Sequence, residues 1–127
     1  MSENGKLAVV LGGGNGIGAA CAGLMVERGW RVAVADVSEE AAHAVARTIG
    51  GTAYVTDIGD AQSVQKLAAD VEEQLGPVQS LVVCAAMFQE RYAPEAFPLE
   101  LFRKILQVNI EGTFVANTAL AVRMAHR

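Results

Sequence analysis

Lys6 to Leu11 is a short apolar, β-branched run that ends in a cluster of glycines, the pattern of a buried strand. From Ile17 to Arg28 the apolar residues Ile17, Cys21, Leu24 and Met25 fall on one helical face, and Gly29 closes the segment. Arg31 to Ala35 reads as a second strand. Ser38 can cap a helix that buries Ala41, Ala42, Val45 and Ile49 and stops at Gly50-Gly51. A third strand spans Thr52 to Thr56. Asp60 then caps a helix whose set Val64, Leu67, Ala68, Val71 and Leu75 is the cleanest 3.6-residue period in the chain. Gly76-Pro77 ends it, and Leu81 to Val83, extending toward Ala85, forms a fourth strand. After a loop with Pro94 and Pro98, a long helical stretch runs from Leu99 to the end, with a break expected near Asn109 and a stripe of Val115, Leu120, Val122 and Met124.

The order is βαβαβαβα. Strands that are continuous apolar runs and alternate with helices imply a parallel sheet covered on both faces. Right-handed crossovers then restrict the topology to a doubly wound α/β sheet of the Rossmann type. No linker, repeat or low-complexity segment interrupts it, so residues 1–127 read as a single domain, incomplete after four strands and their helices. The stripe near the end runs into an abrupt His126-Arg127, as in a truncated stretch or a piece of a longer polypeptide.

Composition narrows the function classes. With 52% hydrophobic and 19% charged residues, the 127-residue chain is globular rather than disordered. The net charge of -4 and the scattered Lys and Arg leave no footprint for nucleic acid or an anionic membrane surface. The polar start, Met-Ser-Glu-Asn-Gly-Lys, is not a signal peptide, and the longest apolar run, Leu81 to Phe88, is too short to span a bilayer. Cys21 and Cys84 lie in apolar stretches without metal-ligand spacing, which reads as reduced, buried thiols in a cytoplasmic protein. His43 and His126 are isolated and read as solvated helix residues. No metal site is expected.

The chemistry concentrates in Val9-Val10-Leu11-Gly12-Gly13-Gly14-Asn15-Gly16-Ile17-Gly18, which leaves a strand and opens a helix. Glycine allows a sharp turn, lets a pyrophosphate approach the main chain, and exposes the N–H groups and positive dipole end of the helix. Such turns also occur for tight packing alone. The spacing of Gly12, Gly16 and Gly18 differs from G-x-G-x-x-G, whereas Gly14, Gly16 and Ala19 fit G-x-G-x-x-A. Asp36 follows Gly16 by about 20 residues, at the end of the second strand. An acid there accepts hydrogen bonds from the adenosine ribose hydroxyls and repels a 2′-phosphate. Val37 offers that phosphate no cation, so the pair favours NAD over NADP. Taken alone, Asp36 also reads as a turn residue or a helix cap. Asp57-Ile58, after the third strand, suits an adenine, the carboxylate accepting from the amino group and Ile58 packing on the ring, although Asp57 is equally an ordinary turn residue.

These residues resemble the short-chain dehydrogenase/reductase family. Gly12, Gly16, Ile17 and Gly18 fall on its T-G-x-x-x-G-x-G motif, with Leu11 in place of the Thr. Asp36 matches its NAD-selecting acid, Asp57-Ile58 its adenine pair, and Val108-Asn109-Ile110-Glu111-Gly112-Thr113-Phe114 its V-N-x-x-G-x-F stretch. The resemblance runs from Lys6 to about Met124. It implies an NAD site made by Gly12, Gly14, Asn15, Gly16, Ile17, Gly18, Asp36, Val37, Asp57, Ile58, Cys84, Ala85, Ala86 and Val108, and one catalytic residue, Asn109, which helps hold a proton-relay water. It further implies hydride transfer with an alcohol or carbonyl substrate; a homo-oligomer is expected as well.

Two departures stand out. Cys84-Ala85-Ala86-Met87 occupies the place of the family's Asn-Asn-Ala-Gly, which removes the bracing amides and puts a bulky Met where Gly leaves room. The family's Ser and Tyr-x-x-x-Lys are also absent: Tyr54 and Tyr92 are followed four residues later by Ile58 and Ala96. No Ser-His-Asp or Cys-His set replaces them. The chain is therefore expected to be inactive by itself. The alternative is a non-catalytic nucleotide-binding or self-associating module, pairing through an open edge at Leu81 to Ala85. A methyltransferase binding an adenosine cofactor on the same fold is disfavoured by the V-N-x-x-G-x-F match.

Overall fold

The computed structural model describes residues 5–126; the polar start Met1–Asn4 and Arg127 lie outside the described residues. Four strands, β1 (Leu7–Leu11), β2 (Arg31–Asp36), β3 (Thr52–Val55) and β4 (Ser80–Val83), form one parallel sheet in the order β3-β2-β1-β4. β1 is central, with Val9 paired to Ala33 on one side and to Leu81 on the other. The chain moves outward through β2 and β3, then crosses back to place β4 beside β1. The order reverses there, and in this architecture the ends of the strands splay into a crevice at that point.

Helices cover both faces: α1 (Gly16–Glu27) and α2 (Glu39–Ile49) on one, α3 (Ala61–Leu75) and the long C-terminal helix on the other. The alternation of the strands divides the core. Leu7, Val9, Leu11, Ala33 and Ala35 join Val64, Leu67, Val71 and Leu120 in the larger cluster, while Val10, Val32 and Val34 join Ala22, Ala42 and Ala46 in the smaller. Ser38 caps α2 by accepting from the Ala41 amide at 3.2 Å, and Gly50 ends it in the left-handed conformation (φ 76°). The Asp60 side chain caps α3 through the amides of Gln62 and Ser63.

Three expectations change. The core face of α1 is Gly18 and Ala22, flanked by half-buried Met25 and Val26, whereas Ile17 is 81% and Leu24 47% exposed. A Cβ on Gly18 would run into the Gly12 carbonyl, so the helix lies too close to the turn for large residues to sit beneath it. The helix after the loop is not broken at Asn109. α4 (Leu99–Leu106) passes through a single wide turn of π type, Gln107–Glu111, into α5 (Gly112–Ala125), making one 27-residue rod. By length and composition that rod is apolar enough to cross a membrane, a longer apolar segment than Leu81 to Phe88. Here Val108, Ala116, Ala119 and Leu120 pack one side of it against the core, while only 28% of its most apolar window is buried and Val122 points outward, half exposed. Finally, Cys21 and Cys84 are free thiols but only half-buried. His43 is exposed on α2, and His126 is exposed just past the end of α5 rather than on a helix.

Candidate functional site

The C-terminal ends of all four strands open into a cleft of about 410 Å³, within the size range of small-molecule sites. Its walls come from five segments. β1 and its turn supply Leu11, Gly12 and Asn15; β2 supplies Asp36 and Val37; the end of β3 supplies Thr56, Asp57 and Ile58; the end of β4 supplies Cys84 to Phe88. Lys104 and Val108 of the long helix complete it.

The glycine turn is fastened to both neighbouring strands. The amides of Gly12 and Gly13 donate to the Ala35 carbonyl at 2.7 and 3.0 Å, and those of Cys84 and Ala85 donate to the Leu11 carbonyl at 2.7 and 3.0 Å. Gly12 has φ 86°, and a Cβ there would strike the backbone of Ala85, so glycine is required twice over. Gly16 also has positive φ (52°), but nothing lies within 4 Å of where its Cβ would be. That open space sits at the start of α1, where the amides of Gly16, Ile17 and Gly18 precede any carbonyl of their own helix. Asn15, the residue before the helix, makes no capping bond with its side chain. The turn thus leaves donors and room together at one place.

At the end of β2, the Asp36 carboxylate takes one hydrogen bond on each oxygen, from the Gly14 amide at 2.9 Å and from the Ser38 amide at 3.0 Å. It is half-buried and faces the same cleft as Asp57, whose Oδ1 accepts from the Gly59 amide at 2.9 Å and whose own amide donates to Ser63 Oγ at 3.0 Å. Ile58 lines the cleft floor but is 6% exposed and belongs mainly to the core. Lys104 is the cation among the described residues that line the cleft.

Asn109 lies in the wide turn and faces the segment after β4. Its Oδ1 accepts from the Met87 amide at 2.7 Å, and its Nδ2 donates to the Met87 carbonyl at 3.0 Å. Both ends of the amide are therefore spent on one residue, clamping the Cys84–Phe88 wall to the helix. A second amide, Gln107 Nε2, holds the Gly59 carbonyl at 2.7 Å on the opposite wall. The wide turn thus anchors both sides of the cleft, a placement that π-type turns often serve.

The cleft brings together Gly12, Asn15, Asp36, Val37, Asp57, Ile58, Cys84, Ala85, Ala86 and Val108 of the expected site. Gly14, Gly16, Ile17, Gly18 and Asn109 stand behind or beside that lining. Sequence reasoning missed Thr56 and Lys104. Thr56 precedes Asp57, and Lys104 precedes Val108 by one helical turn, the spacing that puts both on one helix face. Among the described residues the Thr56 hydroxyl is the buried side-chain polar atom without a partner. Burial, then the proximity of Cys21, raises the Cys84 thiol above its ordinary pKa and keeps it protonated and a weak nucleophile near neutrality. Tyr54 is likewise raised, by burial and then by Asp70, but it lies outside the cleft, donating to Gln74 Oε1 at 2.8 Å. The described residues contain no group of three His, Cys, Asp or Glu arranged for a metal ion.

A parallel sheet whose order reverses beside a glycine turn, with an acid ending the next strand and a cleft between them, is a Rossmann-type unit of the kind that holds dinucleotides. The short chain dehydrogenase family matches residues 6–127, and the chain belongs to that family. It is 36% identical over 128 residues to an uncharacterized oxidoreductase of Thermotoga maritima, covering 97% of this chain and 50% of that protein. It is 36% identical to the D-threitol dehydrogenase of Mycolicibacterium smegmatis, covering 95% of this chain and 48% of that enzyme. A crystal structure described as ribose-5-phosphate isomerase from Brucella melitensis 16M superposes with a TM-score of 0.94 at 38% identity, covering 98% of this chain and 48% of that one. The chain spans about half the length of the relatives it matches. The names of these proteins cover different chemistries, so the reaction must be argued from the site.

Proposed function

We propose that this chain forms the adenosine and pyrophosphate half of the NAD site of an NAD-dependent short-chain-type oxidoreductase. The complete protein transfers hydride between the nicotinamide and an alcohol or carbonyl substrate. The observation that carries the reading is the convergence of the glycine turn, through Gly12 and Asn15, with Asp36 and Asp57 in one cleft, beside which the α1 terminus begins. The first-turn amides take the pyrophosphate. Asp36 accepts from the ribose hydroxyls and repels a 2′-phosphate, and Val37 beside it offers that phosphate no cation. Asp57 accepts from the adenine amino group. The unpaired Thr56 hydroxyl and the space over Gly16 fit a bound polar ligand.

Bound NAD supplies the hydride chemistry, and this chain's residues bind and orient it. The clamp on Met87 fixes the place of Asn109, to which the family resemblance gives a share in a proton relay. With no Tyr-x-x-x-Lys among its residues, the chain is inactive by itself. The free thiols support a cytoplasmic setting. Self-association is favoured by a row of exposed apolar side chains on α4 and its continuation, Leu99, Phe102, Leu106, Ile110 and Phe114. Titration of the chain with each dinucleotide tests the reading, NAD binding more tightly than NADP. Tighter NADP binding, or sustained NADH formation from NAD and simple alcohols by the purified chain, would contradict it.

A further inference from the structure

The first glycine of the G-x-G-x-x-A spacing has a place in the structure that its motif does not explain. Gly14 is not among the residues lining the cleft. Its amide donates to Asp36 Oδ2 at 2.9 Å. A Cβ on Gly14 would stand 2.7 Å from Asp36 Oδ2 and 2.8 Å from the Ala41 Cβ. Gly14 does not have positive φ, so no backbone conformation demands glycine there; the demand comes from contact. On the other side of the carboxylate, the Ser38 amide holds Oδ1, and Ser38 itself caps the helix that carries Ala41. Asp36 is gripped between the glycine turn and the start of α2.

We propose that Gly14 is a specificity-determining residue that acts through Asp36, by fixing the carboxylate at the ribose position so that it cannot swing aside for a 2′-phosphate. The inference rests on the NAD reading above. Each carboxylate oxygen has lone pairs beyond the one its backbone partner uses, so the held side chain still accepts from ribose hydroxyls. A free aspartate at the same position could rotate away from a phosphate and lose discrimination. Gripped by two amides, it must either meet the phosphate or break those bonds.

The test is a pair of NMR-monitored titrations of the chain with NAD and with NADP, a readout that follows weak binding and needs no turnover. In Gly14→Ala the added methyl displaces the Asp36 side chain, and the ratio of the two dissociation constants is expected to fall by about tenfold, the scale of one hydrogen bond to a charged group. Asp36→Ala marks the ratio with no carboxylate. Gly14→Ala/Ala41→Gly removes the second clash while leaving the first, so it gives the same answer if the single variant does not fold. Equal weakening for both dinucleotides, with the ratio unchanged, makes Gly14 a plain phosphate or packing contact and overturns the inference. A wild-type chain that binds neither dinucleotide, or prefers NADP, overturns the NAD reading first, before any variant is compared.

Discussion

Replacing Asn109 with Ala removes both hydrogen bonds that tie the wide turn to Met87 and leaves a backbone N–H and C=O without their partners. A neutral hydrogen bond contributes about 0.5–1.5 kcal/mol net, and an abandoned buried group costs about 1–3 kcal/mol. Met87 is half-buried, so water can reach its backbone in part. The two bonds together therefore correspond to a loss of about 1–3 kcal/mol. Urea unfolding reads it as a lower midpoint at unchanged slope. Asn109→Asp gives an independent check: it keeps an acceptor for the Met87 amide but sets an oxygen against the Met87 carbonyl, so it should cost at least as much as Ala. NAD affinity should fall in both variants, because the Cys84–Phe88 wall loses its anchor. A loss below about 0.5 kcal/mol, the level of an ordinary surface substitution, would refute the clamp as a structural element.

Two further outcomes follow from the packing and the thiol. Leu120→Ala, at a fully buried position between the long helix and the sheet, should lower stability by about 2–5 kcal/mol in the same unfolding assay; a loss under about 1 kcal/mol would mean the long helix does not pack as described. Because the folded-state pKa of Cys84 is raised, less of it is thiolate at a given pH than in an unperturbed cysteine. Its alkylation by iodoacetamide, read by mass spectrometry, should lag behind that of an unfolded control at neutral pH and catch up only above the ordinary thiol range. NAD should slow it further, since Cys84 lines the cleft; a rate equal to the control and indifferent to NAD would place the thiol elsewhere.

Much of the fold was legible because each strand is an apolar run stopped by glycine, proline or a polar cap. β1 to β4 and α1 to α3 lie within a residue or two of their expected bounds, the last helical stretch starts at Leu99 as expected, and the caps Ser38 and Asp60 and the closing residues Gly29 and Gly50 sit where those residue types belong. What periodicity misjudged was which face of a helix meets the sheet. Ile17 and Leu24 read as core, but the close approach of α1 to the glycine turn admits only Gly18 and Ala22 beneath it. The wide turn at Asn109 was misread as a break, because apolar spacing does not distinguish a wide turn, through which the helix continues, from a break. In the site, the glycines and acids were visible through their spacing. Thr56 and Lys104 were not, because their role depends on where β3 and α4 end in space rather than on any motif. The clamp between Asn109 and Met87 joins residues 22 positions apart and could not be read from either segment.

In the proposed function, the glycine turn, Asp36 and Asp57 together form the adenosine side of an NAD site. Amide chemical-shift mapping of the chain with added NAD tests it most directly. Saturable shifts are expected to concentrate at Gly12 to Gly18, at Asp36 to Ser38, at Asp57 to Gly59 and at Cys84 to Met87, while α2 and α3 beyond their first turns stay still. Shifts confined to another surface, such as the depression beside Tyr54 and Gln74, or no saturable shift at all, would contradict it.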